Sequence, residues 1–267
     1  DSEVAALADR WLATLNALAG LTAQPALGGL TPSDVPLLAL KQSTIDELER
    51  AYPGVDDLLP LAPLQQGLLL HTSADEVGAD PYQGQTVFEI DGPLEPARLA
   101  AAATALLARH PNLRASFAYR GLETPVQVIP REVAAPWQVH DLSALPAAAQ
   151  AARLRELVDG EAARRFNLAA GPMLRFTLVR LAATRHQMIV ADHHILLDGW
   201  SMPIVWRDLF ELYAGRGGEL RRGRLLPRWP VPGLHLQRSL RRELRGLQRQ
   251  AEALPRPRRS GDHGQRQ

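Results

Sequence analysis

Two adjacent histidines followed by an Asp-Gly pair are the residues whose types and spacing best suit catalysis. His193 and His194 end an apolar run, and Asp198 and Gly199 follow after Ile-Leu-Leu. A neutral imidazole, with an unperturbed pKa of about 6.5, can accept or donate a proton near neutral pH. A histidine at a strand end is therefore a competent general base, and such bases contribute about 10² to 10⁴ in rate.

Two other interpretations of the histidine pair stay open at this point. A histidine on an apolar strand is often a hydrogen-bonded core residue. Both histidines and Asp198 could also bind a metal ion. Successive side chains of a strand point to opposite faces, so His193 and His194 cannot face one site if the strand continues through both. The chain contains no cysteine, which excludes disulfides, Cys-ligated zinc and a thiol nucleophile.

The elements that would position these residues alternate between helix and strand patterns. Patterns typical of helices cover residues 4–18, 43–51, 63–73, 96–109, 147–165 and 200–213. Patterns typical of strands cover residues 83–90, 113–119, 125–129, 137–140, 174–181 and 186–193. This order predicts an α+β fold, in which helices flank a mixed or largely antiparallel β-sheet.

Composition places the chain among ordinary globular proteins, with 46% apolar and 22% charged residues. No N-terminal stretch has the pattern of a signal peptide. The most apolar run, residues 188–197, is interrupted by Asp192 and the two histidines, so it cannot span a bilayer. We therefore expect a cytoplasmic protein with no membrane partner.

The histidine segment also resembles a known family. His-His-x-x-x-Asp-Gly is similar to the core motif of nonribosomal peptide synthetase condensation domains and of related chloramphenicol-acetyltransferase-like acyltransferases. Three more segments resemble motifs of the same family in the same order, and the whole resemblance covers residues 56–215. These segments are Leu61-Ala-Pro-Leu-Gln-Gln-Gly-Leu-Leu-Leu-His71, Arg109-His-Pro-Asn-Leu-Arg-Ala-Ser-Phe117 and Phe166-Asn-Leu-Ala-Ala-Gly-Pro-Met-Leu-Arg175.

The resemblance implies a role for each residue of the segment. His194 would be the catalytic residue, either a base or a hydrogen-bond guide beside the attacking amine. His193 would support the motif, and Asp198 would be structural, turned away from the substrate and paired with Arg114. Gly199 would lie next to the thioester, although a glycine here could equally serve only to allow a positive φ. Trp200 is more often a core residue than a ligand-binding one.

The family joins an acyl or peptidyl thioester to the amine of an aminoacyl thioester. The resemblance therefore implies peptidyl carrier protein domains and adjacent synthetase domains as partners. It implies no metal and no directly bound cofactor, since 4'-phosphopantetheine is attached to the carrier domains. The fold it implies is one lobe of a chloramphenicol-acetyltransferase-like pair.

Four segments are expected along the chain. Residues 1–21 would end an upstream condensation or epimerization-like domain, and residues 22–55, rich in Pro and Gly in their first half, would form an interdomain linker. Residues 56–215 would be the N-terminal lobe of a condensation domain. Residues 216–267 would be an Arg/Pro-rich tail, disordered or frame-shifted, and the C-terminal lobe would be missing.

Charge sets the last of these segments apart. Residues 216–267 contain 14 Arg and 4 acidic residues, a net charge of +10, whereas residues 1–215 contain 16 Lys and Arg and 25 acidic residues, a net charge of −9. Nucleic-acid binding is disfavoured because Trp229 is the only aromatic residue of the tail. The ratio of 29 Arg to 1 Lys suggests GC-rich coding DNA, which favours loss of the reading frame near Gly218. A helix is expected only over residues 239–253.

Three functions remain open from the sequence. The chain could be an acyltransferase lobe that is active only when a second lobe is supplied. It could be a non-catalytic remnant that docks carrier proteins. It could also be a stand-alone coenzyme A-dependent acyltransferase, in which a trimer replaces the missing lobe.

Overall fold

The computed structural model describes residues 2–22, 29–74, 80–215 and 235–238. Among these residues the helices are α1 (Ser2–Thr22), α2 (Gln42–Ala51), α3 (Pro63–Ala74), α4 (Pro96–Arg109), α5 (Ala147–Ala163), α6 (Met202–Tyr213) and a short 3-10 helix (Pro111–Arg114). The strands are β1 (Val55–Pro60), β2 (Gln83–Asp91), β3 (Ser116–Ala118), β4 (Val126–Pro130), β5 (Trp137–Asp141), β6 (Leu174–Ala182), β7 (Arg185–His193) and β8 (His235–Arg238). No helix within the described ranges is long and apolar enough to cross a membrane.

The chain divides into two compact units, and the first is built on a small antiparallel sheet. This unit comprises residues 1–78, 107–134 and 166–173. Its strands lie in the order β1-β4-β3. The apolar side chains of α2 pack on this sheet, and the resulting core contains Val35, Ile45, Leu48, Val55, Leu58, Ala118, Val126 and Val128.

The second unit is a three-layer α+β structure that carries the histidine pair. It comprises residues 79–106, 135–165 and 174–267. Its sheet has the order β5-β6-β7-β2-β8, in which β5 runs parallel to β6 and the other pairs are antiparallel. Val87 and Ile189 pack against α5 on one face. Phe88 follows Val87 in β2 and therefore points to the other face, where its ring lies 5.1 Å from Trp206 of α6.

The predicted α+β fold with a mixed sheet flanked by helices is confirmed. The hairpin of β6 and β7 and the helix that ends before Pro111 lie where the patterns predicted them. The strand predicted over residues 113–119 is wrong at its start, because a 3-10 helix occupies Pro111–Arg114 and the strand begins only at Ser116. Pro111 favours that turn, since its ring sets φ near the helical value.

The segment expected to be an interdomain linker is not an extended connection over its described part. Residues 29–55 contribute Val35 and α2 to the core of the first unit, and Val35 is only 1% exposed. In contrast, the described side chains of α1, residues 2–20, are all exposed. The assignment of residues 1–21 and 22–55 to parts of a larger polypeptide stays a prediction.

The tail expected to be disordered contains one described element. Residues 235–238 form β8, which pairs antiparallel with β2, so the expectation of disorder is wrong for these four residues. Strand β2 has β7 on one edge, and β8 pairs with the backbone groups of its other edge. The expected helix over residues 239–253 and the rest of the tail lie outside the described residues.

Candidate active site around the histidine pair

The two histidines lie where strand β7 ends and a turn begins. His193 is the last residue of β7 and the register partner of Gln83 of β2, whereas His194 is the first residue of the turn. The His194 amide still donates a hydrogen bond to the Tyr82 carbonyl at 2.8 Å. His193 is 0% exposed, whereas His194 is exposed.

His193 is a buried, hydrogen-bonded imidazole whose tautomer follows from its partners. Its Nδ1 accepts a hydrogen bond from the Ile195 amide at 3.0 Å, and an amide N–H can only donate. The proton of the neutral ring is therefore on Nε2, which lies 3.2 Å from Oδ2 of Asp80. Burial lowers the pKa of His193, against the opposing attraction of the Asp80 carboxylate. The supporting role expected for His193 stays a prediction, and its burial and its two ring contacts favour it.

Asp80 is a residue of this site that the sequence patterns did not reveal. Its side chain is 0% exposed, and its two oxygens have different partners. Oδ1 accepts a hydrogen bond from the Tyr82 amide at 2.9 Å, and Oδ2 faces His193 and lies 3.7 Å from the Arg165 guanidinium. The Asp-Pro-Tyr sequence indicates a turn before a strand, but no local pattern indicates a partner 113 positions away.

His194 has the geometry of a base whose accepting nitrogen is available. Its Nδ1 lies 3.2 Å from the Leu197 carbonyl oxygen, which can only accept, so Nδ1 carries the proton of the neutral ring. Nε2 then holds the lone pair. Because the side chain is exposed, a substrate amine can reach this nitrogen without displacing core residues.

Asp198 organises the turn that leads from the histidines into α6. Its Oδ1 accepts hydrogen bonds from the Ser201 amide at 2.8 Å and the Ser201 hydroxyl at 2.6 Å. The Ser201 hydrogen bonds hold the pKa of the Asp198 carboxyl below its ordinary value. The Asp198 carbonyl also accepts from the Met202 amide at the start of α6. Asp198 is therefore a turn and helix-start residue, with its carboxylate exposed.

Arg114 is held by backbone carbonyls of the first unit. It is 5% exposed. Its Nε donates to the Pro130 carbonyl at 2.8 Å, and its Nη1 donates to the Leu107 and Ala108 carbonyls at 2.9 and 3.0 Å. The pairing of Arg114 with Asp198 that the resemblance implies stays a prediction.

Gly199 and Trp200, which follow Asp198, are both exposed. A Cβ built at Gly199 would meet no heavy atom of the described residues within 4 Å, and its φ is not in the left-handed region. Neither packing among the described residues nor a positive φ therefore requires a glycine at this position. The expectation that Trp200 is a core residue is wrong, since the side chain is 87% exposed.

The other family-like segments meet in the first unit. The Phe117 amide donates to the Leu168 carbonyl at 2.8 Å, which joins the second and third of these segments. A Cβ at Gly171, whose φ is +41°, would lie 3.0 Å from the Ala115 carbonyl oxygen, so only glycine fits this close approach. Gln65 of the first segment donates through Nε2 to Oε1 of Gln127 at 3.0 Å.

No group of three or more His, Asp or Glu side chains within the described ranges is arranged to hold a metal ion. The expectation that no metal takes part stays a prediction.

Comparison with known proteins agrees with the segment order. The family model named "Condensation domain" matches residues 55–229, which begins one residue before the expected lobe and extends past its expected end at 215. A linear gramicidin synthase protein of Brevibacillus parabrevis is 40% identical over 166 residues, 62% of this chain and 3% of that protein. A second protein of the same synthase is 34% identical over 213 residues, 80% of this chain and 3% of that protein.

Solved structures show the same fold. The starter condensation domain of rhizomide synthetase has a TM-score of 0.54 at 23% identity, and the match covers 59% of this chain and 37% of that domain's chain. The first condensation domain of the CDA synthetase has a TM-score of 0.51 at 22% identity, and the match covers 62% of this chain and 42% of that domain's chain. The chain thus spans about 3% of the two gramicidin synthase proteins and well under half of the solved condensation domains. From the family match over residues 55–229, the chain belongs to the condensation-domain family of nonribosomal peptide synthetases.

Proposed function

We propose that this chain provides the histidine-bearing lobe for amide-bond formation between two carrier-bound thioesters. The observation that carries the proposal is the geometry of His194. The ring is exposed, its Nδ1 proton is engaged by the Leu197 carbonyl, and its Nε2 lone pair is available to a substrate.

The reaction needs one bond made and one broken. The amine nitrogen of an aminoacyl thioester attacks the carbonyl carbon of an acyl or peptidyl thioester, so a C–N bond forms. The C–S bond then breaks, and the sulfur leaves as a thiol. In this proposal His194 Nε2 receives the proton that the amine loses and returns it to the leaving sulfur.

Positioning is expected to supply a large part of the rate, because a thioester is already an activated acyl group. Good alignment of two reactants is worth roughly 7–11 kcal/mol. The buried and hydrogen-bonded His193 anchors the strand end beside His194. The open space at Gly199 suits a narrow chain that ends in a thioester, as a phosphopantetheine arm does.

Carrier protein domains and adjacent synthetase domains are the proposed partners. The two gramicidin synthase relatives are far longer than this chain, which covers 3% of each, so they have room for such domains. A variant of the rhizomide starter condensation domain is also known in complex with C8-CoA. Coenzyme A contains the same phosphopantetheine group that a carrier domain presents. The phosphopantetheine is proposed to arrive with the substrates and not to reside on this chain.

A second lobe is part of the proposal. The matched part of this chain covers 37% to 42% of the solved condensation domains cited above. In the family that this chain resembles, the cleft lies between two similar lobes. We therefore expect condensation to require a complementary C-terminal lobe.

The test is a condensation assay on the 267-residue chain with and without a C-terminal lobe from a gramicidin synthase relative. Donor and acceptor aminoacyl groups are loaded on carrier domains, and the dipeptidyl thioester is quantified by mass spectrometry. We expect product only with the second lobe present. We expect His194→Ala to reduce the rate by about 10² to 10⁴.

Two outcomes would overturn the proposal. One is that folded wild-type chain and His194→Ala give equal rates with the second lobe present. The other is carrier binding without any condensation, which would assign the chain to docking alone. Turnover of free acyl-coenzyme A by a trimer of the chain, without a second lobe, would replace the proposal with a stand-alone acyltransferase.

A further inference from the structure

A ring of hydrogen bonds encloses the backbone of His194 on both sides. The His194 amide donates to the Tyr82 carbonyl at 2.8 Å, and the Tyr82 amide donates to Oδ1 of Asp80 at 2.9 Å. The other carboxylate oxygen, Oδ2, faces Nε2–H of His193 at 3.2 Å. Nδ1 of that imidazole accepts from the Ile195 amide at 3.0 Å. The ring therefore connects the His193 side chain, the His194 amide and the Ile195 amide.

Asp80 is the junction of this ring. Both of its carboxylate oxygens accept hydrogen bonds within the ring: Oδ1 from the Tyr82 amide and Oδ2 from His193. The two donors belong to the ends of different strands. Tyr82 immediately precedes β2, and His193 ends β7. The side chain is 0% exposed, so water does not compete for either oxygen. A carboxylate held this way fixes the two strand ends relative to each other.

The charge of Asp80 matters as well as its shape. Neutral His193 donates to it, and the Arg165 guanidinium lies 3.7 Å from the same Oδ2. A buried carboxylate is costly to desolvate unless it is paired and hydrogen-bonded. Asp80 contacts both His193, which precedes the proposed base in the chain, and Tyr82, whose carbonyl binds the amide of that base.

We propose that Asp80 is a positioning residue for the condensation reaction, acting through His193 and Tyr82 on the orientation of His194. This inference rests on the function proposed above. Asp80 does not touch the substrate in this proposal. It keeps the His194 backbone in the conformation in which Nδ1 reaches the Leu197 carbonyl, so Nε2 presents its lone pair outward.

The informative substitution is Asp80→Asn, which keeps the side-chain shape. The amide it introduces has one acceptor oxygen in place of two, so one of the two donors then faces an NH₂ group. The matched control is Glu161→Gln. Glu161 also forms a buried pair in the same unit, with Arg175 Nε at 3.0 Å, and its side chain takes no part in the ring. Both substitutions remove one buried carboxylate charge.

Two quantities are measured on the full chain. For the kinetic measurement the second lobe is added. The first is kcat and KM for condensation, corrected for the folded fraction of each variant. The second is the ¹⁵N NMR spectrum of histidine-labelled chain, in which His194→Gln assigns the His194 signals. We expect Asp80→Asn to lower kcat by at least about tenfold with little change in KM. We also expect the His194 ring to shift from the Nδ1–H tautomer to a mixture.

A purely structural role for Asp80 predicts a different result. The proposal is overturned if Asp80→Asn and Glu161→Gln lose kcat equally and the His194 tautomer is unchanged. If the wild-type chain forms no amide bond at all, the proposed function fails. The NMR comparison still tests Asp80 in that case, because the tautomer of His194 is observable without turnover.

Discussion

The two ends of the segment from His193 to Trp200 differ in how they are held. At the first end, His193 is 0% exposed, its Nε2 lies 3.2 Å from Oδ2 of Asp80, 113 positions away, and its Nδ1 accepts from the Ile195 amide two residues further on. At the second end, Trp200 is 87% exposed, and the Asp198 carboxylate bonds to Ser201, three residues further along the same chain. The first end therefore combines a long-range contact with a local one, and the second end has the local contact with Ser201.

This difference assigns a separate task to each end. A base that must face an incoming amine benefits from a rigid support on one side and open space on the other. His194 lies between the two ends, with its backbone amide bound to the Tyr82 carbonyl at 2.8 Å and its side chain exposed. We therefore expect substitutions at the buried end to change stability, and substitutions at the open end to change activity.

The largest expected effect is the contrast between His193→Ala and His194→Ala in stability. Removing the His193 ring leaves Oδ2 of the buried Asp80 carboxylate without this hydrogen-bond donor, while Oδ1 keeps the Tyr82 amide. We expect the loss to cost about 3 kcal/mol of unfolding free energy. His194→Ala removes an exposed ring and should change the free energy of unfolding by less than about 0.5 kcal/mol. Urea unfolding followed by circular dichroism measures both. Equal losses for the two variants would contradict the assignment of separate tasks.

A smaller contrast is expected between two glycines. A Cβ at Gly84 would lie 2.9 Å from Oδ2 of Asp192, which is 1% exposed and has little room to move. Gly84→Ala should therefore destabilise the chain by about 1–3 kcal/mol. Gly199→Ala meets open space, so we expect its melting temperature to match the wild type while condensation slows. A melting temperature that falls more for Gly199→Ala than for Gly84→Ala would show that the open end is packed.

The smallest effect is a gradual loss of stability in mild acid. Burial lowers the pKa of both His193 and His186 below the unfolded value of about 6.5, and Arg180 adds to the effect at His186. As the pH falls below about 6.5, the unfolded chain takes up protons that the folded chain does not. The free energy of unfolding should therefore be highest above about pH 6.5 and should decrease as the pH falls below that value.

Variants of single histidines test the source of this pH dependence. Asp80, Arg165 and His194 all lie close enough to His193 to affect its pKa, so its own replacement would disturb several groups. His186→Gln is the cleaner variant, and it should reduce the slope of stability between about pH 7 and pH 5. A slope insensitive to His186 would contradict the prediction.

Much of the framework around the site follows from local patterns. The apolar periodicity predicted β2, β6, β7 and α6 within a few residues of their observed bounds. The prediction that His193 and His194 point to opposite faces depended on a strand through both residues, but β7 ends at His193 and His194 lies in the following turn. The segment expected to be a linker was missed as part of a core, since Val35 and the apolar face of α2 become buried only against β1 and β4.

The partners of charged side chains were the least predictable part. The pairing of Arg114 with the Asp198 carboxylate stays a prediction, and the three backbone carbonyls to which Arg114 donates had no signal in the sequence. Asp80 was not singled out at all. A carboxylate or guanidinium can bond to any complementary group within about 3 Å, and its sequence neighbours do not specify which group that is.

The sequence by itself determined the family, the α+β fold and the strand end that carries the histidines. Each of these depends on motif order or on the two-residue and 3.6-residue periods of the backbone. The tertiary structure alone decided that Asp80 supports His193, that Gly199 faces open space, and that Trp200 is exposed. The first of these facts depends on the register of β2 against β7, which pairs Gln83 with His193 across 110 positions of the chain. A shift of that register by one residue would turn every side chain of β2 to the opposite face, so the packing of the whole sheet fixes it.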